Sequence, residues 1–120
     1  MNSFDHEKLD VFKVSIQWVI LSERIASQFP QGRSSLTDQL HRASTSIPFN
    51  IAEGAGEYAI QEKSRFYCIA RRSTTECAAI LEVCYQLQFV NEALYVEARQ
   101  LLLRIVAMLT KLVKREELRK

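Results

Sequence analysis

Glycine and proline are scarce in this chain, and their placement restricts the fold more than any other feature does. Three glycines and two prolines occur among 120 residues. They fall at Pro30, Gly32, Pro48, Gly54 and Gly56, so residues 57–120 contain neither. All-β sandwiches and barrels place Gly and Pro in many turns. Dinucleotide and P-loop sites need Gly-rich phosphate loops, and neither G-x-G-x-x-G nor G-x-x-x-x-G-K occurs. What remains is a chain of long helices with few joints.

The joints divide the sequence into four helical segments, expected at about 8–28, 34–54, 61–87 and 91–117. Phe29-Pro30-Gln31-Gly32 ends the first, and Ser34 or Ser35 is expected to cap the second. Gly54-Ala55-Gly56 forms the second joint. The third joint has no Gly or Pro and is placed at Phe89-Val90-Asn91, with Asn91 as N-cap. Short joints make sequential helices antiparallel. The expected fold is all-α: an up-down-up-down four-helix bundle, one domain over residues 1–120, with the second helix kinked at Pro48. A hydrophobic content of 48% and a charged content of 25% supply an ordinary globular core.

The helix faces carry different messages. In the fourth segment Leu94, Ala98, Leu101, Leu102, Ile105, Met108, Leu109 and Leu112 share one arc, and the basic residues lie opposite. The first segment has two apolar stripes. Val11, Val14, Trp18, Leu21 and Ile25 make one; Phe12, Ile16 and Val19 make another, roughly 150° round. One stripe suffices for a helix inside a monomeric bundle, and a second implies contact with another subunit. The stripe through Trp18 is nominated for that contact. The other stripe, and a helix buried within a monomer, stand as alternatives.

The middle of the second segment is the densest feature. Leu36, Leu40, Ala43, Ile47 and Ile51 keep helical spacing across Pro48, so the helix is expected to continue through it. Arg42, Ser46, Asn50 and Glu53 form a polar stripe beside them, and Ser73 and Glu76 offer partners on the third segment. These six are read as a structural hydrogen-bond network that sets helix register, with a binding or catalytic cluster as the alternative.

Catalysis and metal binding find little support. No nucleophile–base pair accompanies the polar stripe, and His occurs only at positions 6 and 41. A di-metal bundle needs two Glu-x-x-His motifs, whereas this chain offers only Asp38-x-x-His41. No enzyme activity, cofactor or metal is expected. Cys68, Cys77 and Cys84 fit no disulfide framework and are read as small thiols in a reducing compartment. No run of 18 apolar residues occurs, and the N-terminus lacks a signal-peptide layout, so a cytoplasmic chain without membrane contact is expected.

Arg42-Ala43, Ser46-Ile47-Pro48 and Asn50-Ile51-Ala52-Glu53-Gly54 together resemble the signature of the bacterial "four helix bundle protein" family, also called 23S ribosomal-RNA intervening-sequence proteins. The later pattern Phe-x-x-x-Ala-x-Gly-Ser-x-x-Glu is similar at Phe66, Ala70, Ser73 and Glu76, with Arg72 where the family usually has Gly. The opening Lys8-Leu9-Asp10-Val11-Phe12-Lys13-Val14 also looks like the family's start. The resemblance implies an antiparallel bundle, a homo-oligomer that is usually a ring of five, and no known catalytic activity. Some members are encoded within intervening sequences of ribosomal-RNA genes. Distant relatives act as accessory factors of reverse transcriptases, binding that enzyme and nucleic acid.

Charge is uneven. The net charge is +2, yet residues 99–120 hold seven basic and two acidic side chains. Arg99, Arg104, Lys111, Lys114 and Arg115 are nominated as a surface for RNA or DNA phosphates. The competing reading is dipole complementation late in a helix. The functional expectation is a self-associating bundle that holds nucleic acid as an accessory factor. The alternative is a protein-interaction scaffold with no nucleic-acid role.

Overall fold

The computed structural model describes residues 2–119. A short 3₁₀ turn, Asp5–Lys8, precedes four helices: α1 (Asp10–Ala26), α2 (Ser34–Ala55), α3 (Ile60–Gln86) and α4 (Glu92–Leu118). α1 packs on α2 and α4, and α3 packs on the same two, so the helices sit in sequence order around one core. The antiparallel bundle expected from the joints is therefore the fold. The first helix starts later than expected because Leu9 is extended and separates the 3₁₀ turn from α1.

The helix ends show which local signals decide. Asn91 caps α4, its side chain accepting from the Leu94 backbone N–H at 2.8 Å. The serine cap expected for α2 is a correction: Ser34 is already helical, and Arg33 occupies the N-cap without a side-chain bond. α2 receives help at its other end, where the Lys63 ammonium donates to the carbonyls of Gly54 (2.8 Å) and Ala55 (3.0 Å). A cation there complements the helix dipole and fills acceptors that the last turn leaves free.

The glycine-free third joint is made by Gln88 in the left-handed region, φ 66°. The Phe89 N–H returns to the Cys84 carbonyl at 2.9 Å and the Gln88 N–H to that of Tyr85 at 3.0 Å. This is a Schellman closure in a place usually held by Gly. Gln88→Gly should raise the unfolding free energy by about 0.5–1 kcal/mol by removing the Cβ strain. A urea midpoint at or below that of the parent would contradict this.

α2 runs unbroken through Pro48, as its apolar spacing requires. Gly54 is not a joint residue but part of α2's last turn. A Cβ there would lie 2.8 Å from the Tyr67 ring and 3.1 Å from the Lys63 carbonyl. Its missing side chain is what lets α2 and α3 close together at this end.

The core contains Trp18, Ile25, Leu40, Ile47, Ile51, Leu102, Ile105 and Leu109, all essentially inaccessible. This corrects the assignment of the first helix. Val11, Val14, Trp18, Leu21 and Ile25 face the chain's own bundle, not a neighbouring subunit. The physical reason is that α2 and α4 flank α1 on both sides of that stripe. Ile16 on the second stripe stays exposed, with Phe12 and Val19 half-buried.

Trp18 also anchors a buried polar chain. Its indole N–H donates to Ser44 Oγ at 3.0 Å, and Ser44 Oγ lies 3.6 Å from Cys77 Sγ. Burial pushes the Cys77 and Cys84 thiols up to about 11. Both should resist alkylation at pH 8 until the bundle unfolds, while half-buried Cys68 reacts first. Because the folded values lie above the unfolded one, these thiols withdraw stability as pH rises from about 9 towards 11. Modification of Cys77 in the native chain at the rate of a free thiol would refute the assignment.

Candidate nucleic-acid interface

All five nominated cations of α4 are exposed. Among the described residues, Arg99, Arg104, Lys111 and Lys114 form no ion pair with a carboxylate, whereas Arg115 lies 3.2 Å from Glu116. The helix separates them into two flanks. Arg104 lines a cleft of about 480 Å³ between α1 and α4, together with Arg24, Gln17 and Ile20. Lys111 and Arg115 line a second cleft of about 320 Å³ further along the same seam, beside Asp10 and Met108. The spacing 104, 111, 115 keeps these three on one side of α4. Arg99 and Lys114 are turned away from that side by the helical repeat and line neither cleft. The nominated surface is thus a seam plus an outer flank. Lys120, counted with the basic end, lies outside the described residues.

The polar stripe of α2 does meet α3. Ser46 Oγ and Ser73 Oγ are 2.8 Å apart, and the Asn50 amide donates to the Ser46 carbonyl (2.8 Å) and hydroxyl (3.0 Å). Arg42 reaches Glu76 at 3.2 Å, on the exposed rim. Such an exposed pair contributes little by itself; the bonds set register between two helices. Glu53 does not join them. It lines a different cleft, of about 300 Å³, with Asp5, Glu57 and Phe4.

Two placements resolve smaller questions. Arg72, at the family's usual Gly position, is exposed and leaves the α3 packing face undisturbed. His41 sits on the surface with its Nδ1 2.9 Å from Glu23. Among the described residues, no group of three or more His, Cys, Asp or Glu side chains is gathered to hold a metal ion; no helix is long and apolar enough to cross a membrane.

Glu116 stands outside the residues nominated from the sequence. Its carboxylate is fully buried at the end of α4, accepting from Arg115 at 3.2 Å and from Arg119 at 3.1 Å. Tyr67 lies close enough that its hydroxyl is raised above the usual tyrosine range, by burial first and by the Glu116 charge second. The signal was present in the pattern: Glu116 continues the spacing of Leu102, Ile105, Leu109 and Val113 on the core face.

Fold and surface together define a small antiparallel helical bundle whose last helix turns a largely unpaired basic side outward. The chain belongs to the 23S rRNA-intervening sequence protein family, whose pattern matches residues 7–111. Arg99, Arg104 and Lys111 fall within that span; Lys114 and Arg115 lie beyond it. The fold is also similar to the crystal structure of a protein with unknown function from the S23 ribosomal protein family of Bacteroides thetaiotaomicron VPI-5482. The two share 18% identity over 87% of this chain and 98% of the other, with a TM-score of 0.80. No curated protein matches the chain.

Proposed function

We propose that this chain is a non-catalytic scaffold that self-associates, as a ring of five by its family resemblance, and holds nucleic-acid phosphates on the basic surface of α4. The observation that carries the phosphate reading is the set of four exposed α4 cations without carboxylate partners. Such cations release counterions when they meet a phosphate backbone and do not read base edges. A non-catalytic role is supported by the state of the candidate groups: His41 is engaged with Glu23, and the Cys77 and Cys84 thiols are buried and pushed up to about 11. We place the protein in the cytoplasm, where its three free thiols stay reduced.

The test is salt-dependent binding of structured RNA and of single- and double-stranded DNA. Affinity should fall steeply with salt and vary little with base sequence. Replacing Arg99 and Lys114, which line neither cleft, together by Ala should lower it several-fold and flatten the salt slope by about one per lost contact. If no nucleic acid binds at low salt, the phosphate role is wrong. The protein-interaction scaffold then takes its place, favoured by the exposed Ile20, Phe49 and Leu103.

A further inference from the structure

Two surfaces of the bundle are opposite in charge, and each carries exposed apolar side chains. The first lies where α2 ends. The 3₁₀ turn and the last turns of α2 enclose a cleft of about 300 Å³ lined by Asp5, Glu53 and Glu57, with His6 beside them and no Lys or Arg. Phe4 borders it and is 72% exposed. Phe49, one helical turn before Glu53 and thus on the same side of α2, is 67% exposed. The second surface is the α1–α4 seam. Arg24, Arg104, Lys111 and Arg115 line its two clefts against two carboxylates, Glu97 and Asp10. Ile20 borders this seam and is 60% exposed.

We propose that copies of this chain associate head to tail, the acidic cleft at the α2 end of one copy seating on the basic α1–α4 seam of the next. The proposal rests on the self-association reading above and assigns its two faces. Complementary potentials favour this pairing and disfavour the two like-with-like pairings. A two-fold dimer could make the same pairing twice, each acidic cleft on the other copy's seam, so a parent of twice the monomer mass would overturn the head-to-tail arrangement. A contact between two different patches closes into a ring when its rotation permits. The exposed Phe4, Phe49 and Ile20 supply the apolar contact that charge alone lacks. Arg104 and Lys111 are then covered in the assembly, and phosphate contacts fall to Arg99 and Lys114 on the other flank of α4.

The experiment uses the full chain and two charge-reversed variants, Asp5→Lys/Glu53→Lys and Arg104→Glu/Lys111→Glu. All four positions are exposed, so helix content by circular dichroism should match the parent. By light scattering each variant alone should run as a monomer. An equimolar mixture should recover association, in even-numbered alternating species and not in a ring of five, because only contacts between the two variants pair each reversed face with its complement. Arg72→Glu/Arg99→Glu carries the same change in net charge as Arg104→Glu/Lys111→Glu, on exposed positions away from the seam, and should keep the parent's mass. If a reversed variant loses helix content, Phe49→Ser and Ile20→Ser, each expected to lower the associated fraction at least tenfold, take its place. Variants that keep the parent's mass, a mixture that stays monomeric, or a control that also dissociates each overturn the assigned faces. A parent chain that is itself a monomer overturns the self-association reading as well.

Discussion

Trp18→Ala is expected to cost about 3–5 kcal/mol of stability, the range for deleting a buried large side chain. A domain of this size holds about 5–15 kcal/mol in total, so the variant should be marginal. Trp18 has no exposed surface, and its indole N–H is spent on Ser44. The loss therefore combines a cavity with the removal of one of the two partners of the Ser44 hydroxyl, which keeps only Cys77 Sγ at 3.6 Å. Fold and any self-association should disappear together, and Trp18→Asp should do the same more completely. Urea denaturation followed by circular dichroism is the measurement, since Trp18 is the only tryptophan and fluorescence leaves with it. A variant with the parent's midpoint but an altered mass would show that the residue faces a neighbour after all.

The second large effect is expected at Gly54. Gly54→Val should cost about 3 kcal/mol, because the new atoms meet the Tyr67 ring, itself buried, where even a Cβ would stand at 2.8 Å. Gly54→Ala should cost less, since alanine regains roughly 1 kcal/mol of helix propensity over glycine. Gly56 makes the contrast: a Cβ there meets nothing closer than 3.6 Å, so Gly56→Ala should change the urea midpoint little. A double-mutant cycle settles the cause. In a Tyr67→Ala background the cost of Gly54→Ala should vanish or reverse. Equal costs in both backgrounds would mean that the ring contact is not what the glycine serves.

The bundle was legible in the sequence because its evidence is periodic. Apolar spacing carried α2 through Pro48, and Asn91 marked the start of α4 at a joint with no glycine. What periodicity cannot say is who covers a stripe. Val11, Val14, Trp18, Leu21 and Ile25 read equally well as core or as interface until α2 and α4 are placed on either side. Residue type also misled where packing, not local geometry, set the choice. Gly54 looks like a helix stop and is a close-approach notch; Ser34 looks like a cap and is the first helical residue. Ser44 fell outside the polar stripe yet joins Trp18 to Cys77 across three helices, a contact fixed only in three dimensions. Of the candidate phosphate surface, the sequence showed the charges but not their division into a seam and a flank.

The helices are unequal in length, and this bears on how the bundle opens. α1 spans 17 residues, whereas α3 and α4 span 27 each. The α2–α3 turn is further tied by the Lys63 ammonium on the end of α2. Partial opening should therefore begin with α1 lifting from a three-helix remainder, the local unit with the least to lose. That motion would carry the only indole of the molecule from a dry site into water. Its emission would shift to the red while most of the helical signal persisted, so the protein carries a built-in optical gauge of whether its shortest helix is seated.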